Sequence, residues 1–147
     1  MFYGTSVKDT RQMFFTSWKK YRNQESLSSV EKQVVAVILD HPEYHTLLEQ
    51  SSLESEHVFY PELGQTNPFL HMGLHLAVRD QVTTDRPNGI RSIFQTLVQK
   101  HHDPLCVEHK MMDCFAETLW LAERHQCMPD VSHYLSLCKR LLATSLF

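Results

Sequence analysis

Asn67-Pro68-Phe69-Leu70-His71-Met72-Gly73-Leu74-His75-Leu76-Ala77-Val78-Arg79 is the stretch on which the reading of this chain turns. Asn67 offers a capping amide, and Pro68 suits a first helical position, where no backbone N–H is needed. From Pro68 to about Val82 the side chains are apolar nearly all round, the pattern of a helix buried in the middle of a fold. His71 and His75 break that pattern one turn apart and point the same way. At about 100° per residue, Leu74, Val78 and Val82 fall close to His71, so both imidazoles share the apolar stripe. Two imidazoles at i, i+4 have the spacing at which one helix can ligate one transition metal ion.

Helical signals repeat on both sides of this segment. Upstream, Thr5 or Ser6 can cap a helix running to about Arg22, with Phe14, Trp18 and Tyr21 at helical spacing. Ser28-Ser29-Val30-Glu31 reads as a capping box opening a helix through Val34, Val35, Ile38 and Leu39. His41-Pro42 starts a short helical piece through Leu48, and residues from about Gln50 to Thr66 read as a long connection. Downstream, Pro87-Asn88-Gly89 is a turn before a helix of Ile90, Ile93, Phe94 and Leu97. Asp103-Pro104 opens the longest helix, to about His125, and Pro129-Asp130 separates it from a last amphipathic helix through Leu142. With four glycines and no period-two run, hairpins lack their raw material. The expectation is an all-α chain, a compact helical bundle of six or seven helices in one domain over residues 1–147.

Composition removes several classes of function. A formal net charge of -3 and a single short basic group, Lys19-Lys20-Arg22, argue against nucleic acid as a partner, because phosphate binding needs clustered cations. No stretch approaches the roughly twenty apolar residues of a membrane-spanning helix, and the N-terminus lacks the apolar run of a secretory signal. Four cysteines without a C-x-x-C pair read as free thiols of a reducing compartment, and Cys114 reads as a packed small residue before a reactive one. A cytoplasmic, membrane-free setting follows as an expectation. Nothing points to a particular protein partner or to a homo-oligomer. No Walker loop, nucleophile elbow, dinucleotide fingerprint or H-E-x-x-H is present, so no familiar enzyme class is supported.

Ten histidines are the excess that needs explaining. Beside His71 and His75, the long helix carries Glu108, His109 and Asp113. On a helical wheel Leu105, Met112, Ala116 and Trp120 lie within roughly 60° of His109, with Asp113 next to them. Carboxylates on such a face need a cation, a donor network or a metal. His41 and His45 form another i, i+4 pair around Pro42, flanked by Ile38, Leu39, Leu47 and Leu48. Glu62, just before the Pro68 helix, is a further candidate carboxylate, and Glu117 is either a ligand or an exposed charge. His101 and His102 read as helix-closing residues, and His57, His125 and His133 as incidental.

Four strings in the chain resemble a known family. They are His41-Pro42-Glu43-Tyr44-His45, Pro61-Glu62-Leu63-Gly64-Gln65-Thr66-Asn67-Pro68-Phe69-Leu70-His71, His75-Leu76-Ala77-Val78-Arg79, and Glu108-His109 through Glu117-Thr118-Leu119-Trp120. In these the chain is similar to domain-of-unknown-function family 1841, from about Phe2 to Leu142. The resemblance implies a bacterial cytoplasmic protein and carries no reaction.

The leading expectation is a helical-bundle protein that binds a transition metal, mono- or dinuclear, through side chains on facing helices. His71, His75 and His109 are the first candidates as ligands, joined by His41 or His45 and by Glu108, Asp113 or Glu62. Neutral imidazoles with carboxylates suit Fe, Mn or Zn. The main rival is a non-enzymatic interaction or structural domain with a buried histidine–carboxylate hydrogen-bond network. A pH-responsive histidine switch is the third reading.

Overall fold

The structure is a computed structural model, and it describes residues 7–50 and 67–144. Among these are seven α-helices and no strand: α1 (Val7–Arg22), α2 (Ser29–Leu39), α3 (His45–Glu49), α4 (Pro68–Thr84), α5 (Ile90–His101), α6 (Pro104–Arg124) and α7 (Val131–Leu141). A 3-10 turn, Pro42–Tyr44, leads into α3. The all-α expectation is met. The proposed Thr5 or Ser6 cap and the connection from 51 to 66, with Glu62 and His57, lie outside the described residues.

The chain divides into two compact units, Met1–Leu76 and Ala77–Phe147, and the division falls inside α4. In the first unit α1 packs on α2 and α3. Phe14, Phe15 and Trp18 share a face of α1 and are buried with Val34, Val35, Val37 and Ile38 of α2, Leu48 of α3, and Phe69, Met72 and Leu76 of α4. The Phe69 ring sits 5.9 and 5.7 Å from those of Phe14 and Phe15, and the Arg11 guanidinium lies over it at 5.0 Å. Burial of several aromatic side chains dominates the stabilisation here, since each removes a large apolar area from water.

Local sequence sets the helix ends. Ser28 Oγ accepts from the Glu31 N–H at 3.2 Å, while the Glu31 carboxylate accepts from the Ser28 N–H at 2.8 Å. These reciprocal bonds satisfy two backbone donors that the first turn leaves orphaned. The Ser28 N–H, and then Lys20 at 2.9 Å, hold the Glu31 carboxyl below the usual carboxylate range. Asn67 Oδ1 accepts from the N–H groups of Phe69 and Leu70, Asp103 from Cys106, and Asp130 from His133.

In the second unit α5, α6 and α7 pack pairwise. Ile90, Ile93 and Leu97 of α5 are buried, as are Val107, Met111, Met112, Phe115 and Ala122 of α6, Tyr134 and Cys138 of α7, and Ala77 and Val78 of α4. The turn between α4 and α5 is tied by the Asp85 carboxylate, which accepts from the N–H groups of Gly89 and Arg91 at 3.1 Å each. Gly89 takes φ 99°, a left-handed conformation that glycine adopts without a side-chain clash. No helix among the described residues is long and apolar enough to cross a membrane.

Replacing Ser28 by Ala removes one side of the capping box. It is expected to cost about 1 kcal/mol, read as a lower urea midpoint with an unchanged slope.

Candidate metal centre

Three histidines of the first unit meet at their ring edges. His75 is fully buried on α4, His71 is half-buried one turn before it, and His41 is 3% exposed just after α2. His41 Nε2 lies 3.1 Å from His75 Nε2, which lies 3.2 Å from His71 Nε2. The three rings stand edge to face, with interplanar angles of 65° to 81° and centroids 4.5 to 5.1 Å apart.

The end of α2 orients this group. His41 Nδ1 donates to the Val37 carbonyl at 2.7 Å, which also accepts the Asp40 N–H at 3.2 Å. Because a carbonyl only accepts, Nδ1 carries the hydrogen and Nε2 of the neutral ring presents its lone pair to His75. A hydrogen bond from the outer ring nitrogen to a carbonyl fixes the tautomer of many metal-binding imidazoles. A proton on His75 Nε2 then cannot serve both neighbours well. If His75 donates to His41 it has no lone pair for His71; if it accepts from His71, it faces His41 lone pair to lone pair. One cation at the centre of the three nitrogens would resolve the conflict. With metal–nitrogen bonds of about 2.0–2.1 Å, ligand nitrogens stand about 3.3 Å apart at a tetrahedral angle and about 2.9 Å apart at a right angle. The observed 3.1 and 3.2 Å lie between these values.

Tyr44 flanks the group. Its ring stacks on His41 at 5.6 Å with an interplanar angle of 6° and lies 6.4 Å from His71, and burial pushes its phenol up. The string His41-Pro42-Glu43-Tyr44-His45 carries a signal for this role, since one 3-10 turn brings its third residue after His41 back over the ring.

Other sequence candidates go elsewhere. His45 does not join the three: its Nε2 donates to the Ile38 carbonyl at 2.8 Å, and its ring packs on Trp18 at 4.5 Å. His41 and His45 are therefore not an i, i+4 pair on one helix, because Pro42 starts a 3-10 turn between them. Glu108 is buried, as its apolar setting predicts, and its partner in the structure is a cation. Arg79 Nε donates to both carboxylate oxygens, at 2.9 and 3.1 Å. Nothing in the sequence paired position 79 with position 108, which stand on different helices.

Asp113 is exposed, contrary to the wheel reading, and so are Trp120 at 55% and Leu105 at 37%. The buried residues of α6 are Val107, Glu108, Met111, Met112, Phe115, Thr118 and Ala122, most of them on the far side of the helix from His109. Of the apolar residues beside His109 only Met112 is buried, and Asp113, about 40° further round, is exposed. His109 itself is half-buried on α6. Glu117 is an exposed charge, accepting from His133 Nε2 at 3.2 Å. His102 closes α5 in the left-handed conformation, its N–H donating to the Val98 carbonyl at 2.7 Å.

Residues 6–140 match the family model described as "Domain of unknown function (DUF1841)". The chain belongs to this family. No curated protein and no solved structure matches it. Within this DUF1841 chain the three converging imidazoles, with the buried ion pair of Arg79 and Glu108, mark the first places to look for chemistry.

Removing one partner of a buried ion pair strands the other. Arg79→Ala is expected to destabilise the protein by about 3 kcal/mol, measured by urea unfolding. Arg79→Met/Glu108→Leu together should recover most of that loss.

Proposed function

We propose that this protein binds one transition metal ion through His41, His71 and His75 of its first unit. The observation that carries the reading is the convergence of three Nε2 atoms, one of them with its tautomer set by the Val37 carbonyl.

An all-imidazole set narrows the metal. Nitrogen donors suit Zn(II), Fe(II), Ni(II) or Cu(II), whereas Mn(II) favours carboxylate and water oxygen. A dinuclear centre needs bridging carboxylates. Among the described residues Glu108 is committed to Arg79 and Asp113 is exposed, which supports a single ion. Four protein ligands make a closed, structural zinc site, and three with a water make a Lewis-acid site that polarises a bound oxygen. A purely structural hydrogen-bond network is the rival. The proton conflict at His75 speaks against it, because a network of neutral rings leaves one contact badly made.

Elemental analysis of protein purified without a polyhistidine tag tests this directly. About one ion per chain is expected, with a chelator lowering the melting temperature. His75→Ala should abolish retention, while Glu108→Gln should keep the metal. Metal-free protein whose melting ignores both chelator and added Zn(II) would overturn the reading.

A further inference from the structure

The last turns of α1 and the end of α3 border a cavity of about 220 Å³ in the first unit. On α1 it is lined by Phe15, Trp18, Lys19, Arg22 and Asn23, which recur at helical spacing and so share one face. Leu48 and Glu49 line it from α3. Phe15, Trp18 and Leu48 are buried and make an apolar floor, while the four polar residues are exposed and make the rim. Tyr21 stacks on Trp18 at 5.3 Å and the His45 ring packs against it at 4.5 Å, so the indole is fixed in place. Its buried N–H has no acceptor among the described residues, although a buried indole N–H usually finds one.

Charge on the rim is unbalanced. Of the three cations in the last turn of α1, Arg22 pairs with Glu49 at 3.1 Å and Lys20 with Glu31 at 2.9 Å. Among the described residues Lys19 has no ion pair, and the Asn23 amide makes only a long 3.5 Å bond to Glu25. We infer that this cavity binds a compact monocarboxylate with an apolar body, such as a small aryl acid. Lys19 Nζ and the Asn23 amide donate to the carboxylate at the rim, where a charge-assisted bond is strongest. The body covers Phe15, Trp18 and Leu48 and displaces water from them. Glu49 on the same rim repels a second negative charge, which disfavours diacids and phosphates. At 220 Å³ the space falls below the roughly 300–1,000 Å³ of drug-sized sites, which keeps out nucleotides.

Phenylacetate is the probe. Trp18 and Trp120 are the two tryptophans, and Trp120 lies on α6, so the full-length Trp120→Phe protein has its one indole at the cavity. Phenylacetate should change Trp18 emission saturably, with one molecule bound per chain by calorimetry. Phenylacetamide, alike in shape but uncharged, should bind about tenfold more weakly, as should phenylacetate to Lys19→Met. Glu49→Gln should bind phenylacetate more tightly. Lys19 and Glu49 are exposed, so both variants should keep the parent's circular dichroism. No saturable emission change or heat in the millimolar range would refute the inference. Equal binding of acid and amide, or a preference for phenylethylamine, would refute the carboxylate. Undiminished binding to Lys19→Met would show that the acid sits elsewhere, the histidine group included, and would equally end the proposal.

Discussion

His41 Nδ1 donating to the Val37 carbonyl is the contact on which the candidate site rests. A backbone carbonyl has two lone pairs and can accept twice. At the end of α2 the carbonyls of Val37 and Ile38 accept the N–H groups of Asp40 and His41, and each takes a second bond from the imidazole of His41 or His45. The imidazole bond to Val37 leaves His41 no choice about which nitrogen faces inward. It presents a lone pair to Nε2 of a fully buried His75, and the same Nε2 meets a further nitrogen, that of His71. A detail of secondary structure thus becomes a statement about ligand chemistry.

Charge follows a separate logic in the second unit. Glu108 is buried, and an ionised carboxylate in such surroundings requires compensation. Arg79 provides it with Nε donating to both oxygens, so the carboxylate needs no metal. Among the described residues, the donors that remain for the candidate site are imidazoles. Neutral ligands do not reduce the charge of a divalent ion, so they favour ions that bind nitrogen strongly over those that depend on anionic oxygen.

Helix α6 carries different chemistry on different sides. One side is the buried arc of Val107, Met111, Phe115 and Ala122, with Glu108 at its edge. Another bears His109 among partly exposed apolar residues, including Trp120, over whose ring Arg124 lies at 5.1 Å. Such separation is possible because a helix of 21 residues presents nearly six turns of side chains to different neighbours.

The sequence by itself determined the class of the fold, most helix boundaries and the family. The reason is that these depend on short-range features: capping residues at Ser28, Asn67, Asp103 and Asp130, prolines at first helical positions, and apolar spacing near 3.6. It also placed His71 and His75 on one face, because a single helix fixes that geometry locally. Only tertiary structure decided which other groups reach them. His41 and His45 looked alike from spacing, yet the 3-10 turn at Pro42 sends one toward His75 and the other onto Trp18. Glu108 and Asp113 looked equally suited to a metal, yet one meets Arg79 and the other meets water. A wheel orders side chains around one axis but does not say which side the neighbouring helices cover, and that choice depends on packing between residues far apart in the chain.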